Sequence, residues 1–116
     1  MSKSLHENIE AVEAGYEFLL AYAAQGRASD EGPGGSEVRA TLTAMSDAAD
    51  SIARQQEKDA GVYSYVVVDD ARKSHAAIAL VLSQEKISSE LVDNLNASIH
   101  LRAFLTDLFL LSETID

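Results

Sequence analysis

The stretch VYSYVVVDDARKSHAAIALVL, residues 62–82, decides the fold. Its opening, with Tyr63, Tyr65 and the triple Val66-Val67-Val68, has the β-branched and aromatic character that suits a pleated surface. Its second half is rich in Ala and Leu, the strongest helix formers. A lone strand would have no partner in this chain. Val68, Ala71, His75, Ile78 and Leu82 recur at spacings of 3, 4, 3 and 4, the period of a helix face. The stretch is therefore predicted to form one helix over 63–85.

The same period continues on both sides. Upstream, Val38, Leu42, Met45, Ala49 and Ile52 predict a helix over 36–59, with Asp50 and Arg54 spaced as an i,i+4 pair and Gly61 as a stop. Before it, residues 27–35 hold the only proline and, with Gly26, four of the six glycines, so no regular element can cross them. The first helix, 4–26, opens on the capping box Ser4-Leu5-His6-Glu7 and carries Leu5, Ile9, Val12, Tyr16, Leu19 and Ala23 along one seam. Downstream, Ser88 is placed to cap a helix over 89–114 while Ile87 staples onto Val92. The second half of that helix, Leu101, Phe104, Leu105, Leu108, Phe109, Leu110, Leu111 and Ile115, is apolar around most of its circumference. Four rods joined by one glycine-rich loop and two tight turns predict an all-α, antiparallel, up-down-up-down four-helix bundle spanning 1–116 as a single domain.

Composition narrows the function classes. Thirty Leu, Ile, Val and Phe in 116 residues can support one core. The absence of cysteine excludes disulfides, a thiolate nucleophile and cysteine-ligated metals. Nineteen acids against nine bases give a formal charge of −10, which opposes binding to nucleic acid or anionic lipid. No apolar run reaches the ~20 residues of a membrane span, and the first ten residues lack a signal-peptide core, so a cytoplasmic location is expected.

Few side chains form a motif with chemistry attached. The Glu-x-x-His pairs of di-iron bundles are absent, Gly32-Pro33-Gly34-Gly35 lacks the Lys-Ser/Thr of a phosphate loop, and no G-x-S-x-G occurs. His6 and Glu10 form only a two-ligand i,i+4 pair, so neither metal nor cofactor is expected. His75 falls on the inner register, where a Tyr, Ser or backbone carbonyl would satisfy it, Tyr16 and Ser98 being the nearest choices in that register. His100 has only Asn96 one turn back. Arg102 also falls on an inner register, with Leu91, Leu95, Ser98, Leu105 and Phe109, from which its long side chain can snorkel outward.

The acids are less evenly spread. Glu10, Glu13 and Glu17, with Glu7 before them, step along the first helix, and none of these three has a Lys or Arg four residues before or after it to offset their repulsion. Asp69 and Asp70 add to the negative surface, as do Asp47 and Asp50. The expected function is a non-enzymatic, acidic protein-binding module, such as an immunity- or antitoxin-type inhibitor of a basic effector. Glu10, Glu13, Glu17, Asp69 and Asp70 would meet the partner's bases, with Tyr22, Tyr63 and Tyr65 as aromatic anchors. The alternative is a bundle that binds a small ligand or cofactor through His75 and Arg102. The apolar surplus of the last helix, with Phe18 and Tyr22 beside the first seam, calls for a cover; a second copy forming a homodimer is the simplest.

Overall fold

Five α-helices follow one another along residues 4–59 and 61–114, which the computed structural model describes: α1 (Leu5–Ala23), α2 (Glu37–Lys58), α3 (Ser64–Leu82), α4 (Ser89–Ala97) and α5 (Ile99–Thr114). No strand occurs among the described residues, and the ambiguous valine segment enters α3 as helix. Ile115 lies outside the described residues. The fold is all-α as expected, but the helices number five rather than four.

Local chemistry sets the boundaries. The Ser4 hydroxyl accepts the Glu7 N–H at 3.1 Å and the Glu7 carboxylate accepts the Ser4 N–H at 2.9 Å, closing the predicted capping box. α1 ends at Ala23, ahead of Gly26 at φ 67°, a conformation that glycine adopts without a Cβ penalty. The Ser88 hydroxyl accepts the Leu91 N–H at 3.0 Å and starts α4, as its sequence position implies.

The helices close a ring. α2 packs on α1 and α3, α3 on α4 and α5, and α1 on α4 and, more sparsely, α5, while α1 and α3 do not meet. Val38, Leu42, Met45, Ala49 and Ile52 of α2 are all fully buried, so the predicted seam of that helix is the observed one. Gly15 lets α1 come close to α2, because a Cβ there would run into the buried Met45 side chain.

Two registers differ from expectation. In α3 the buried stripe is Val67, Ala71, Ser74, Ile78 and Val81, one residue from the predicted line at three of its positions, leaving Val68, His75 and Leu82 half-buried at its edge. The expected helix over 89–114 is broken at Ser98, whose extended backbone (ψ 137°) ends α4. The Ser98 hydroxyl then accepts the Leu101 N–H at 3.2 Å and its carbonyl the Arg102 N–H at 3.1 Å, opening α5. Interrupting the helix resets its phase. Leu101, Phe104, Leu105 and Leu108 turn inward, and Arg102 and Phe109, both predicted inward, turn out.

Candidate functional site

Two of the chain's bases, Arg39 and Arg27, hold one end of the fold together. At one end of the molecule, the α1–α2 loop is wrapped around the α3–α4 turn. Arg39 pairs with Asp30 at 2.7 Å and donates to the carbonyls of Leu82 at 3.2 Å and of Gln84 and Glu85 at 2.9 Å each, so one guanidinium satisfies the free carbonyls at the end of α3. The other Asp30 oxygen accepts the Ile87 N–H at 2.9 Å. The Arg39 hydrogen bond, and then the Ile87 amide, hold the Asp30 carboxyl below its ordinary range. Arg27 spends its guanidinium on the carbonyls of Ser29, Glu31 and Pro33 and lies 5.8 Å from the Tyr22 ring centroid.

Tyr22 belongs to this clasp. It is 0% exposed and its hydroxyl donates to the Ile87 carbonyl at 2.6 Å. That corrects its assignment as a partner anchor: α4 and the loop cover the ring that the first-helix seam alone left at the margin. Arg54 pairs with Asp50, Arg72 with Glu57 at 2.6 Å, and Lys73 with Asp69 at 3.0 Å.

None of these cations reaches the acids of α1. Glu10, Glu13 and Glu17 form no ion pair among the described residues. Glu13 and Glu17, with Tyr16 between them, line a cleft of about 260 Å³ whose other wall is Leu105 and Phe109 of α5. Phe109 is 55% exposed, and Leu20, one helical turn beyond Tyr16, is also exposed. Residues 10, 13, 16, 17 and 20 share one face of α1 by helical geometry. The expected acidic stripe and part of the expected apolar surplus thus meet along a single surface.

Tyr63, Asp70 and Asp107 form a different cluster. Asp107 of α5 is 3% exposed, accepts the Tyr63 hydroxyl on Oδ1 at 2.8 Å, and has no donor for Oδ2 among the described residues. Burial, with the nearby Asp70 carboxyl next in weight, raises its pKa to about 7. Tyr63 and Asp70 are therefore engaged with an internal acid rather than both free for a partner. Nothing in the sequence pattern singled out Asp107; an acid between Leu105 and Leu108 in an otherwise apolar half-helix is the signal that was there.

Tyr65 and Asp69 lie on the α2–α3 side, along an open groove of about 660 Å³ that also includes Glu57, Asp59, Val66 and Arg72. Tyr65 is 76% exposed, but the acids of this groove are largely answered by Arg72 and Lys73.

His75 and Arg102, paired in the ligand-binding alternative, line separate cavities: His75 one between α2 and α3, Arg102 one against Ile99 and Thr106. His75 is satisfied by Ser46, whose hydroxyl lies 2.9 Å and whose carbonyl lies 3.1 Å from Nδ1, rather than by Tyr16 or Ser98. Arg102 is exposed, which corrects its inner placement. No group of three or more potential metal ligands occurs among the described residues, and none of their helices is long and apolar enough to cross a membrane. Neither a family model, nor a curated protein, nor a solved structure matches the chain.

Proposed function

We propose that this chain is a non-enzymatic protein-binding module that recognises a basic partner, the role of an immunity- or antitoxin-type inhibitor being of this kind. The observation that carries the reading is the imbalance on α1. Among the described residues, three glutamates stand on one face with no ion pair, while four of the eight described bases are paired with other acids and Arg27 is tied to loop carbonyls. Like charges at i,i+3 and i,i+4 cost a few tenths of a kcal/mol per pair, so the stripe works against the helix that bears it. A cationic surface seated on it would relieve that repulsion and would be steered to it over distance.

The test is a titration with octalysine followed by amide chemical shifts. At about 0.01 M salt, where the Debye length is about 30 Å, the shifts should centre on Glu10, Glu13 and Glu17. They should collapse by about 0.15 M, where it is about 8 Å. The E10Q/E13Q/E17Q variant should lose them. Shifts spread evenly over every acidic surface, or unchanged in the triple variant, would reject the reading.

A further inference from the structure

We propose that the α1–α5 cleft receives an amphipathic helix of a basic protein, its apolar side over Tyr16, Leu20 and Phe109 and its Lys or Arg side against Glu10, Glu13 and Glu17. This rests on the reading above and adds the shape and polarity of what is bound. The cleft supplies apolar and acidic elements side by side. Tyr16, Leu105 and the half-exposed Phe109 make an apolar floor, and Glu13 and Glu17 stand on the same cleft. On α1 the acids fall at i, i+3 and i+7 and the apolar pair at i and i+4. An incoming helix presents its own side chains with the same period, so one ridge can meet the acids while the next meets the apolar floor. The stretch from Glu10 to Leu20 runs about 15 Å along the axis, which a partner helix of about three turns would cover.

Charge decides between occupants. A second copy would bring the same uncompensated glutamates to this face, and like charges across an interface are repelled. Arg102, the only Lys or Arg in α5, lines a different cavity with Ala97, Ile99 and Thr106 and is not part of this cleft. An anionic lipid surface is opposed for the same reason as a second copy.

The experiment uses the full chain and two synthetic 18-residue peptides of identical Lys and Leu content, one with the leucines on a single helical face and one shuffled to destroy that face. Affinity is read by fluorescence anisotropy at low salt, and oligomeric state by sedimentation. The segregated peptide should bind about tenfold more tightly than the shuffled one. That preference should fall to near unity with F109S, an exposed-site change the fold should tolerate, and overall affinity should fall with E13Q/E17Q. An Asp47→Asn control on exposed α2 surface should leave the preference intact. Equal binding of both peptides, insensitive to F109S, would overturn the helix-in-cleft inference while leaving recognition of a basic partner standing. Failure of both peptides to bind would overturn the two together. A dimer that F109S converts to monomer would do the same, by giving the cleft to a second copy.

Discussion

Asp107 makes the fold pH-sensitive in a direction opposite to that of an ordinary surface acid, and replacing it with Asn should abolish that sensitivity. The residue is 3% exposed, one carboxyl oxygen accepting the Tyr63 hydroxyl and the other lacking a donor among the described residues, with Asp70 alongside. The folded chain holds the proton up to about pH 7, whereas the unfolded chain releases it near the ordinary value of 3.8. Between these values the folded state binds more protons, so the stability this group contributes is fully present below about pH 3.8 and is lost as pH rises towards and through about 7. At 1.36 kcal/mol per pKa unit the full span would cost roughly 4 kcal/mol. That is an upper bound, because water entry and rearrangement of Asp70 relieve part of it; about 1–3 kcal/mol is the range for burying an ill-satisfied polar group.

The assay is urea unfolding followed by helical circular dichroism at about pH 5 and pH 8.5, comparing wild type with D107N. Asn can still accept the Tyr63 hydroxyl through Oδ1 and can turn its amide towards Asp70. The variant should be close to wild type at the lower pH and more stable by about 1–3 kcal/mol at the higher, with the midpoint shifted and the slope unchanged. A variant whose stability relative to wild type is the same at both pH values would refute the reasoning.

Three further outcomes are expected from the same unfolding measurement. Arg39→Ala should cost about 2–4 kcal/mol, because it strands Asp30 and releases three carbonyls; Arg39→Lys should recover less than half of that, since an ammonium cannot reproduce the fork, and full recovery would reduce the site to charge alone. Asn96→Leu should be neutral or stabilising by up to about 2 kcal/mol, since Asn96 is 5% exposed and neither end of its amide has a partner among the described residues; a loss of more than about 1 kcal/mol would mean the amide is satisfied in solution. Asp30→Asn should weaken the fold most near pH 7 and progressively less as pH falls below the unfolded value of 3.8, because an acid held below its ordinary pKa stabilises above the unfolded value and loses that contribution as pH falls through the folded one. A loss that does not shrink as the pH is lowered would point to packing rather than charge.

Much of the fold was legible because it rests on local rules. The capping box at Ser4, the cap at Ser88, the glycine-rich loop and the α2 seam all follow from neighbours within one or two helical turns. The valine segment was legible from the helical period of the residues that follow it and from the lack of a strand partner, and it is helix. The unread features depend on contacts across long separations. Arg39 caps a helix more than forty residues away, and Tyr22 is buried by Ile87, sixty-five residues on. His75 was correctly expected to find a Ser or a backbone carbonyl, but the expected serine came from helical register rather than from α2, which supplies Ser46. The acidic stripe of α1 could be read at once; that it faces α5 could not.

The break at Ser98 links the fold to the proposed site. In an uninterrupted helix the 3, 4 spacing of Leu91, Leu95, Ser98, Arg102, Leu105 and Phe109 would keep Arg102 and Phe109 on the inward side. Serine competes for backbone hydrogen bonds, and here its hydroxyl takes the Leu101 N–H and begins a new helix. The new phase commits Leu101, Phe104 and Leu108 to the core and sends Phe109 to the surface beside Glu13 and Glu17. A bundle that needed only stability would have buried the phenylalanine and kept the glutamates away from it. Ser98→Ala, which removes the cap, should therefore cost about 1 kcal/mol in stability and also weaken the preference for a face-segregated basic helix. Loss of stability with the preference fully retained would show that α5 holds its phase by packing alone, and that the serine has no part in presenting the cleft.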